Sequence, residues 1–456
     1  MSMLQLSELA QMVDGRLHGA DCTFDGVSSD TRTLQRGELF VALKGPNFDG
    51  HDYLGIAQSR GAAGALVARE GAAGLPEVVV ADTLQGLGRL GHGWRMRCAA
   101  QVLAITGSNG KTTLKEMIAA ILAQRGAVLA TRGNLNNDIG VPLTLARLRD
   151  EPYAVIEMGA NHAGEIDYLS RMARPDVAVL NNAGRAHLEG FGSIEGVARA
   201  KAEIINGLQP GGVFVFNADD AFAPLWRELG HELEQRTFGV ANPADVSSPL
   251  DEYRVVWQEE RFDVRFPVRC AQGEIELSLQ LAGEHNRMNA LAAVAAALAA
   301  GAGLSDAQHG LAGLKPVPGR LCPQRGVSGM RLIDDSYNAN PDSVIAALRV
   351  LVSAPGRRTL VLGDLAELGD DAAGLHRQLG ELANESGIER LLTVGSLSAH
   401  AGEAFAGEQH HFDSRDALAD FLQRDASGDD SVLIKGSRSA RMDEVVRRLQ
   451  LAEVAC

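Results

Sequence analysis

The segment Gln101–Thr113, QVLAITGSNGKTT, decides how this chain folds. An apolar run typical of a strand, Val102–Ile105, enters a glycine-rich turn, and the helix-like run LKEMIAAILAQ follows. Strand, glycine-rich loop and helix in this order bind the phosphates of a nucleoside triphosphate, because loop amides and the helix N-terminus attract anions. Lys111 follows Gly110 and can reach the outer phosphates, and the Thr112 hydroxyl can bind Mg²⁺.

The loop departs at one position from the common phosphate-binding pattern. The pattern G-x-x-x-x-G-K-[ST] requires a glycine at position 105, where this chain has Ile105. The alternative is a glycine-rich turn that carries a surface lysine. Because the strand–loop–helix context is the one that the motif requires, we predict that the chain uses ATP or GTP.

The composition describes a globular protein of several domains. With 456 residues, a hydrophobic content of 45% and a net charge of −15, the chain has room for about three domains. The negative charge argues against nucleic acid as a partner. Five scattered cysteines without a CxxC pair suggest neither a disulfide framework nor a zinc site.

The N-terminal sequence MSMLQLSELAQMVDG has neither the basic start nor the apolar core of a signal peptide. The Ala-rich stretch Ala290–Ala300 is too short to cross a bilayer. We therefore expect a cytoplasmic protein without membrane insertion, and a monomer.

The pattern of strands and helices predicts an α/β protein of three domains. Residues 1–83 form a small mixed α/β domain, and 84–314 alternate buried strands with helices, as in a parallel sheet. Within the second block, Asp251–Leu281 alternates apolar and polar residues, which predicts antiparallel strands. Pro316 and Pro318 mark a joint, after which residues 315–456 form a second, Rossmann-like open α/β sheet.

Polar residues follow several strands of the central block, at the sheet edge where ligands bind in α/β proteins. Glu157 ends the strand YAVI and can hold Mg²⁺; a solvated strand end is the alternative. His187 follows the strand DVAVL, where a helix cap or a surface residue is equally possible. Lys201 lies on a predicted helix, and the residue type alone predicts a solvated surface charge.

Three further polar segments are candidate contacts for substrates. Asn134 and Asn137 lie in TRGNLNNDIG, which is either a turn-rich loop or a surface for a sugar or diphosphate. The segment Asp334–Ser343 follows the strand RLI and either binds a ligand or caps a helix through Asn340. Lys435–Arg438 follows the strand SVLI and offers two positive charges to a carboxylate or phosphate.

Together these segments resemble the Mur ligase family over nearly the whole chain. The motifs occur in the family's order: TGSNGKTT, TRGNLNNDIGVPLTL, VIEMGANHAGEI, NNAGRAHLEGFGS, AKAEI, GEHNRMNALAA, PGR, DDSYNANPDS, GDLAELG and KGSRS. The family's own form of the phosphate loop accounts for Ile105. SSDTR, GELFVALKGPNFDGHDY and DDSYNANPDS are most similar to the member that adds a dipeptide, and the chain has no DNPR-like motif.

The resemblance implies an ADP-forming ligase of peptidoglycan precursor synthesis. Such an enzyme joins D-alanyl-D-alanine to a UDP-N-acetylmuramoyl-tripeptide through an acyl phosphate and a tetrahedral intermediate. It implies ATP, two Mg²⁺ ions and CO₂ bound as a lysine carbamate. Another Mur-type ligase, or folylpolyglutamate synthase, whose loop should end G-K-G/S, is the alternative enzyme. A nucleotide-dependent switch without ligase activity is the alternative of another class.

The resemblance also implies a role for particular residues, which we take as expectations. The catalytic residues are Lys111, Lys201, His187 and Glu157, with Lys201 carbamylated. Metal contacts come from Thr112, Glu157, His187 and Lys201. ATP contacts come from Thr106, Gly107, Ser108, Asn109, Gly110, Lys111, Thr112, Thr113, Asn286, Asn289, Arg320 and Asn338. Contacts to the UDP-sugar peptide and the amine come from Ser29, Asp30, Arg32, Lys44, Gly45, Asp49, His51, Asn134, Asn137, Asp335, Lys435, Ser437 and Arg438.

Overall fold

Parallel strands covered by helices dominate the architecture, as the sequence predicted. A computed structural model describes residues 2–71, 74–185, 188–258 and 260–451, and the α/β class is confirmed in these ranges. Three parts of the chain each build their own sheet, and we call residues 4–79 the first unit, 101–312 the central unit and 322–449 the third unit. In the described ranges no helix combines the length and the apolar character needed to cross a membrane.

The first unit has a five-stranded sheet in the order β2-β7-β6-β5-β4, in which only β2 is antiparallel to its neighbour, and a separate pair β1-β3. Its strands are β1 (Leu4–Gln5), β2 (Arg16–His18), β3 (Thr23–Phe24), β4 (Val27–Ser28), β5 (Leu39–Val41), β6 (Gly64–Val67) and β7 (Glu77–Val79). Its helices are α1 (Leu6–Met12) and α2 (Leu54–Ser59), and α3 (Thr83–Arg95) leads to the central unit.

The central unit has a ten-stranded sheet in the order β15-β16-β14-β13-β12-β11-β8-β10-β9, with β17 also paired to β16. Its strands are β8 (Gln101–Thr106), β9 (Val128–Ala130), β10 (Tyr153–Glu157), β11 (Val177–Leu180), β12 (Val213–Asn217), β13 (Glu234–Gly239), β14 (Val246–Ser247), β15 (Arg254–Trp257), β16 (Phe262–Cys270) and β17 (Gly273–Leu279). Its helices are α4 (Lys111–Leu122), α5 (Gly140–Leu145), α6 (Glu165–Ala173), α7 (Leu188–Phe191), α8 (Ile194–Ala202), α9 (Ala223–Leu229), α10 (Glu284–Ala299) and α11 (Leu304–Ala312). The strands β9 to β14 and β8 pair in parallel, and β15, β16 and β17 form the predicted antiparallel part.

The third unit has a six-stranded sheet in the order β18-β19-β23-β20-β21-β22, parallel except for β18. Its strands are β18 (Cys322–Arg325), β19 (Arg331–Asp335), β20 (Arg357–Gly363), β21 (Arg390–Val394), β22 (Glu408–Phe412) and β23 (Asp430–Lys435). Its helices are α12 (Pro341–Val352), α13 (Ala372–Glu385), α14 (Ala399–Glu403), α15 (Arg415–Asp425) and α16 (Asp443–Leu449).

The two faces of the central sheet bury different side chains of the same strands. Leu103 and Ile105 of β8 pack under α4 and α10, whereas Val102 and Ala104 pack in the cluster on the opposite face. This explains the continuous apolar run in the sequence, because a strand covered on both faces has no polar side. All the alanines of α10 except Ala299 are buried, and their small side chains allow the helix to lie close to α4.

Side chains at the end of α3 connect the first unit to the central unit. The Trp94 indole donates to the Leu148 carbonyl over 2.9 Å, and the Arg95 side chain donates to the carbonyls of Ala173 and Cys98 over 3.1 Å. The Arg95 guanidinium also forms a 3.3 Å ion pair with Asp176, and burial lowers its pKa. The predicted domain boundaries at 83/84 and 314/315 stay a prediction.

The joint before the third unit is held by neighbouring carboxylates at the end of β19. Asp334 accepts a hydrogen bond from the Gly319 amide over 3.0 Å, and Asp335 accepts one from the Leu321 amide over 3.1 Å. Asp334 also accepts from the backbone and hydroxyl of Ser336. These contacts fix the direction in which Arg320 leaves the joint.

We predict that Gly356→Ala destabilises the third unit far more than Gly387→Ala. Both glycines have left-handed backbones, with φ of 79° and 75°. A Cβ at position 356 would lie 1.7 Å from the Asp429 carbonyl oxygen, whereas a Cβ at position 387 would have no neighbouring heavy atom within 4 Å. The control variant, Gly387→Ala, should lose about 1–2 kcal/mol of unfolding free energy from backbone strain alone. Gly356→Ala should lose about 3 kcal/mol or more. Calorimetric melting of both variants tests this, and equal Tm values would refute it.

Candidate active site

The phosphate loop connects the end of β8 to the start of α4. Gly110 precedes the helix with a φ of 79°, and a Cβ at this position would lie 2.5 Å from Asn289 Oδ1. Both the backbone conformation and the space therefore require glycine. The amides at the start of α4 are left without helical partners, as an anion-binding loop needs.

Amide side chains from outside the loop hold its backbone in place. Asn182 Oδ1 accepts from the Asn109 amide over 2.9 Å, and the Asn109 carbonyl accepts from the side chains of Asn181 and Asn182 over 3.0 and 3.1 Å. Asn181 also donates to Asn289 over 2.8 Å, and Asn289 donates to Asn286 over 3.2 Å. A chain of amides thus connects α10, the end of β11 and the phosphate loop.

A cavity of about 1020 Å³ opens beside this loop, between the central unit and the third unit. The structure brings most of the predicted site residues to its wall. Those in the wall are Ser108, Asn109, Gly110, Lys111, Thr112, Thr113, Asn134, Asn137, Glu157, Asn286, Asn289, Arg320, Asp335, Asn338, Lys435, Ser437 and Arg438. Thr106, Gly107 and Lys201 lie outside the wall as the described residues define it.

Glu157 is buried, so its interpretation as a solvated strand end is wrong. Its Oε1 accepts from Asn136 over 2.8 Å, and its Oε2 has no hydrogen-bond partner among the described residues. A buried carboxylate oxygen without a partner is costly unless a cation binds it. Because Glu157 and Thr112 both line the cavity and both offer oxygen ligands, the residues present fit Mg²⁺.

Positive side chains converge on the loop from two directions. The Lys111 ammonium donates to the Gly107 carbonyl over 2.6 Å, and burial lowers its pKa. Arg320 reaches across from the joint and donates to the Thr112 hydroxyl over 2.9 Å. Its guanidinium lies 4.5 Å from the centre of the Tyr337 ring, a cation–π contact that fixes its orientation.

Lys201 is buried on α8, so the prediction of a solvated surface charge is wrong. Burial lowers the pKa of Lys201 to about 7, with the positive charge of Lys111 acting in the same direction. Its ammonium lies 5.4 Å from the centre of the Phe191 ring. An amine with a pKa near 7 is about half uncharged at neutral pH, and the uncharged form is the one that reacts with CO₂. His187 lies outside the described residues.

In the third unit, two of the predicted substrate contacts pair with each other. The Lys435 ammonium donates to Asp335 Oδ2 over 2.6 Å and to the Asn338 carbonyl over 3.0 Å. Burial raises the pKa of Asp335, and the charge of Lys435 opposes that rise. The Ser437 amide donates to the Asp364 carbonyl over 2.9 Å, which brings the loops after β20 and β23 side by side at the cavity.

The predicted sugar contacts of the first unit lie away from this cavity. Asp30 and Arg32 form a 2.7 Å ion pair in the loop after β4. In the loop after β5, His51 accepts from the Ala68 amide through Nε2 and donates through Nδ1 to Asp49, 2.6 Å away. None of the candidates lies in the cavity wall as described, so their role stays a prediction: Ser29, Asp30, Arg32, Lys44, Gly45, Asp49 and His51.

Comparisons with known proteins identify the family. Residues 105–297 match the Mur ligase middle domain, and residues 319–438 match the Mur ligase, glutamate ligase domain. Over 99% of both chains, the sequence is 46% identical to UDP-N-acetylmuramoyl-tripeptide–D-alanyl-D-alanine ligase of Escherichia coli (strain K12). The chain belongs to the Mur ligase family. The family resemblance predicted from the motifs is thus confirmed.

Solved structures of relatives share the fold of this Mur ligase over nearly its full length. MurF from Acinetobacter baumannii superposes with a TM-score of 0.90 at 36% identity, covering 98% of this chain and 99% of that chain. The MurF ligase from Thermotoga maritima in complex with ADP superposes with a TM-score of 0.82 at 27% identity, covering 93% and 96%.

Some residues of this Mur ligase site were missed from the sequence. Asn136 lies between the two predicted asparagines Asn134 and Asn137 and is the one that contacts Glu157. The density of asparagine in this loop was the available signal. Arg185 and Asp342 also line the cavity and pair with each other, but they are 157 residues apart, and no local pattern connects them.

We predict that Gly110→Ala weakens nucleotide binding by about tenfold or more, the factor that corresponds to 1.4 kcal/mol. The added Cβ would push against Asn289 and strain the loop. Gly164→Ala is the matched control, because Gly164 also precedes a helix with a left-handed backbone, φ 87°, but has no atom within 4 Å of the added Cβ. Calorimetric titration with ADP and Mg²⁺ measures both, and equal dissociation constants would contradict the prediction.

Proposed function

We propose that this Mur ligase uses ATP to join D-alanyl-D-alanine to a UDP-N-acetylmuramoyl-tripeptide, forming ADP and phosphate. The observation that carries the proposal is the 46% identity to the Escherichia coli enzyme of that name over 99% of both chains. The cavity between the phosphate loop and the third unit supports it, because ATP and an amine can meet there. In the proposed division into three domains, the first unit binds the UDP-sugar.

The chemistry starts from a carboxylate, which is a poor electrophile. A carboxylate oxygen of the tripeptide attacks the γ-phosphorus of ATP, the bond between the γ-phosphorus and the bridging oxygen breaks, and ADP leaves. The product is an acyl phosphate. The amine of the dipeptide then attacks the acyl carbon, loses a proton, and expels phosphate from the tetrahedral intermediate, leaving an amide.

The residues of the site work mainly by positioning and by offsetting negative charge. Lys111, Arg320 and the amides at the start of α4 face the place where the anionic carboxylate must approach the anionic phosphates. Mg²⁺ held by Glu157 and Thr112 supplies further positive charge there when bound. We propose that His187 and a carbamate on Lys201 would bind the second of two Mg²⁺ ions.

The family resemblance suggests the carbamate, and the surroundings of Lys201 support it. An ammonium near a metal ion would be repelled, whereas a carbamate is an anion and attracts the metal. The Lys201 side chain is buried on α8, where a neutral amine or an anion neutralised by a cation is more stable than an unpaired charge. We further propose that the protein is a monomer and works in the cytoplasm.

The proposal is tested by phosphate release from ATP with UDP-muramyl tripeptide, with and without D-alanyl-D-alanine. We expect release to require both substrates and to match the amide formed, as measured by mass spectrometry. Release that does not depend on the dipeptide would favour a nucleotide switch. Activity with a folate and glutamate, and none with the muramyl tripeptide, would favour folylpolyglutamate synthase.

We predict that Lys201→Ala abolishes ligation, because the carbamate can no longer form. Added bicarbonate should not restore activity, whereas a short carboxylic acid that fits the space should restore part of it. Lys115→Ala is a useful comparison, because Lys115 is also buried but donates to the Thr131 carbonyl over 2.6 Å, and no carboxylic acid should rescue it. Full activity of Lys201→Ala would remove the carbamate from the mechanism.

A further inference from the structure

The N-terminal end of α12 in the third unit contacts the loop that follows β11 in the central unit. Asp342 Oδ2 accepts from the Arg185 amide over 2.7 Å, and Asp342 Oδ1 accepts from Arg185 Nε over 3.0 Å. Arg185 Nη2 lies 2.9 Å from the same Oδ1. Beside this pair, the Asn340 side chain donates to Asn109 Oδ1 over 2.8 Å. The third unit therefore contacts the phosphate loop both directly and through Arg185.

Asp342 is not needed to cap its own helix. Asn340 Oδ1 accepts from the Ser343 amide over 2.9 Å, and the Ser343 hydroxyl accepts from the Asn340 amide over 3.0 Å. This reciprocal arrangement is a complete capping box. An acidic side chain in the first turn of a helix is favourable anyway, but it then faces solvent or the helix amides. Both carboxylate oxygens of Asp342 instead face Arg185.

The loop that carries Arg185 is fixed to the phosphate loop. The Gly184 amide donates to the Ser108 hydroxyl over 2.9 Å, and the adjacent Ala183 amide donates to Asp220 over 2.9 Å. Asn182, one residue earlier, holds the Asn109 backbone from both sides. Contacts within the central unit therefore hold the backbone before Arg185 in place without help from the third unit.

The ion pair between Arg185 and Asp342 is partly buried, which strengthens its attraction. The side chains of Arg185 and Asp342 are 33% and 31% exposed, so water screens them less than it screens a surface pair. The contact uses two nitrogens of the guanidinium and one backbone amide, which fixes the orientation as well as the distance. Arg185 belongs to the central unit and Asp342 to α12 of the third unit, so the pair connects the two units.

We propose that Arg185 and Asp342 are positioning residues that hold the third unit over the phosphate loop during ligation. The inference rests on the proposed function, because it assigns the pair to steps that use groups from both units. The phosphates bind at the central unit, whereas Lys435, Ser437 and Arg438 come from the third unit. Breaking the pair should therefore slow amide formation and leave nucleotide binding nearly unchanged.

The test compares Asp342→Asn and Arg185→Ala with Glu444→Gln. Glu444 pairs with Arg415 over 2.6 Å at similar exposure, 26% and 37%, but both residues belong to the third unit. We expect kcat to fall by about tenfold or more in the first two variants, as it does when a reacting group is misplaced. The dissociation constant for ADP and Mg²⁺ should stay within about threefold of the wild type. Glu444→Gln should match the wild type in both.

A structural role alone would give a different result. If the pair only stabilises the fold, activity should follow the loss in Tm, and Glu444→Gln should lose as much. The double variant Arg185→Ala/Asp342→Asn should be no slower than the slower single variant, within about twofold, because both substitutions remove one contact. Additive losses, unchanged kcat in the single variants, or an equal loss in Glu444→Gln would each overturn the proposal.

Small-angle scattering with ADP and Mg²⁺ separates a failed inference from a failed function. Asp342→Asn should have a larger radius of gyration than the wild type, and Glu444→Gln should not. If the wild type forms no amide, the proposed function fails, and scattering alone then decides whether the pair holds the units together. A radius of Asp342→Asn equal to that of the wild type would then overturn the inference.

Discussion

A phosphate loop must hold its amides in one direction, and in this chain that direction depends on contacts from outside the loop. Gly110 supplies the left-handed turn, but the amide side chains of Asn181 and Asn182 hold the residue before it. Those side chains come from the end of β11, which is the neighbour of β8 in the sheet. The order of the parallel strands thus determines which residues can support the loop.

Charge is the second constraint, because an anionic carboxylate must approach anionic phosphates. Two like charges about 4 Å apart repel by about 4 kcal/mol at an effective dielectric constant of 20. The chain carries a net charge of −15, so the positive side chains must be concentrated locally. Lys111 and Arg320 meet this need at the loop, whereas the charge of Lys435 is balanced by Asp335.

The sequence predicted the features that are encoded locally. The apolar strands around the phosphate loop, the antiparallel segment and the polar strand ends all follow from patterns within a few residues. The edge strand β22, EQHHF, was not predicted, because its side chains are mostly exposed and carry no apolar alternation. The burial of Glu157 and Lys201 also could not be read locally, since it depends on segments that pack over them. The resemblance to the family, rather than the residue type, is the basis of the role proposed for Lys201.

The central claim is that ATP is spent to activate the tripeptide carboxylate at this loop. The most direct measurement uses UDP-muramyl tripeptide labelled with ¹⁸O in its terminal carboxylate, in a reaction with ATP and D-alanyl-D-alanine. Activation as an acyl phosphate transfers one labelled oxygen to each phosphate released, and the account predicts that mass spectrometry finds it there. Phosphate without the label, formed together with the amide, would contradict the account.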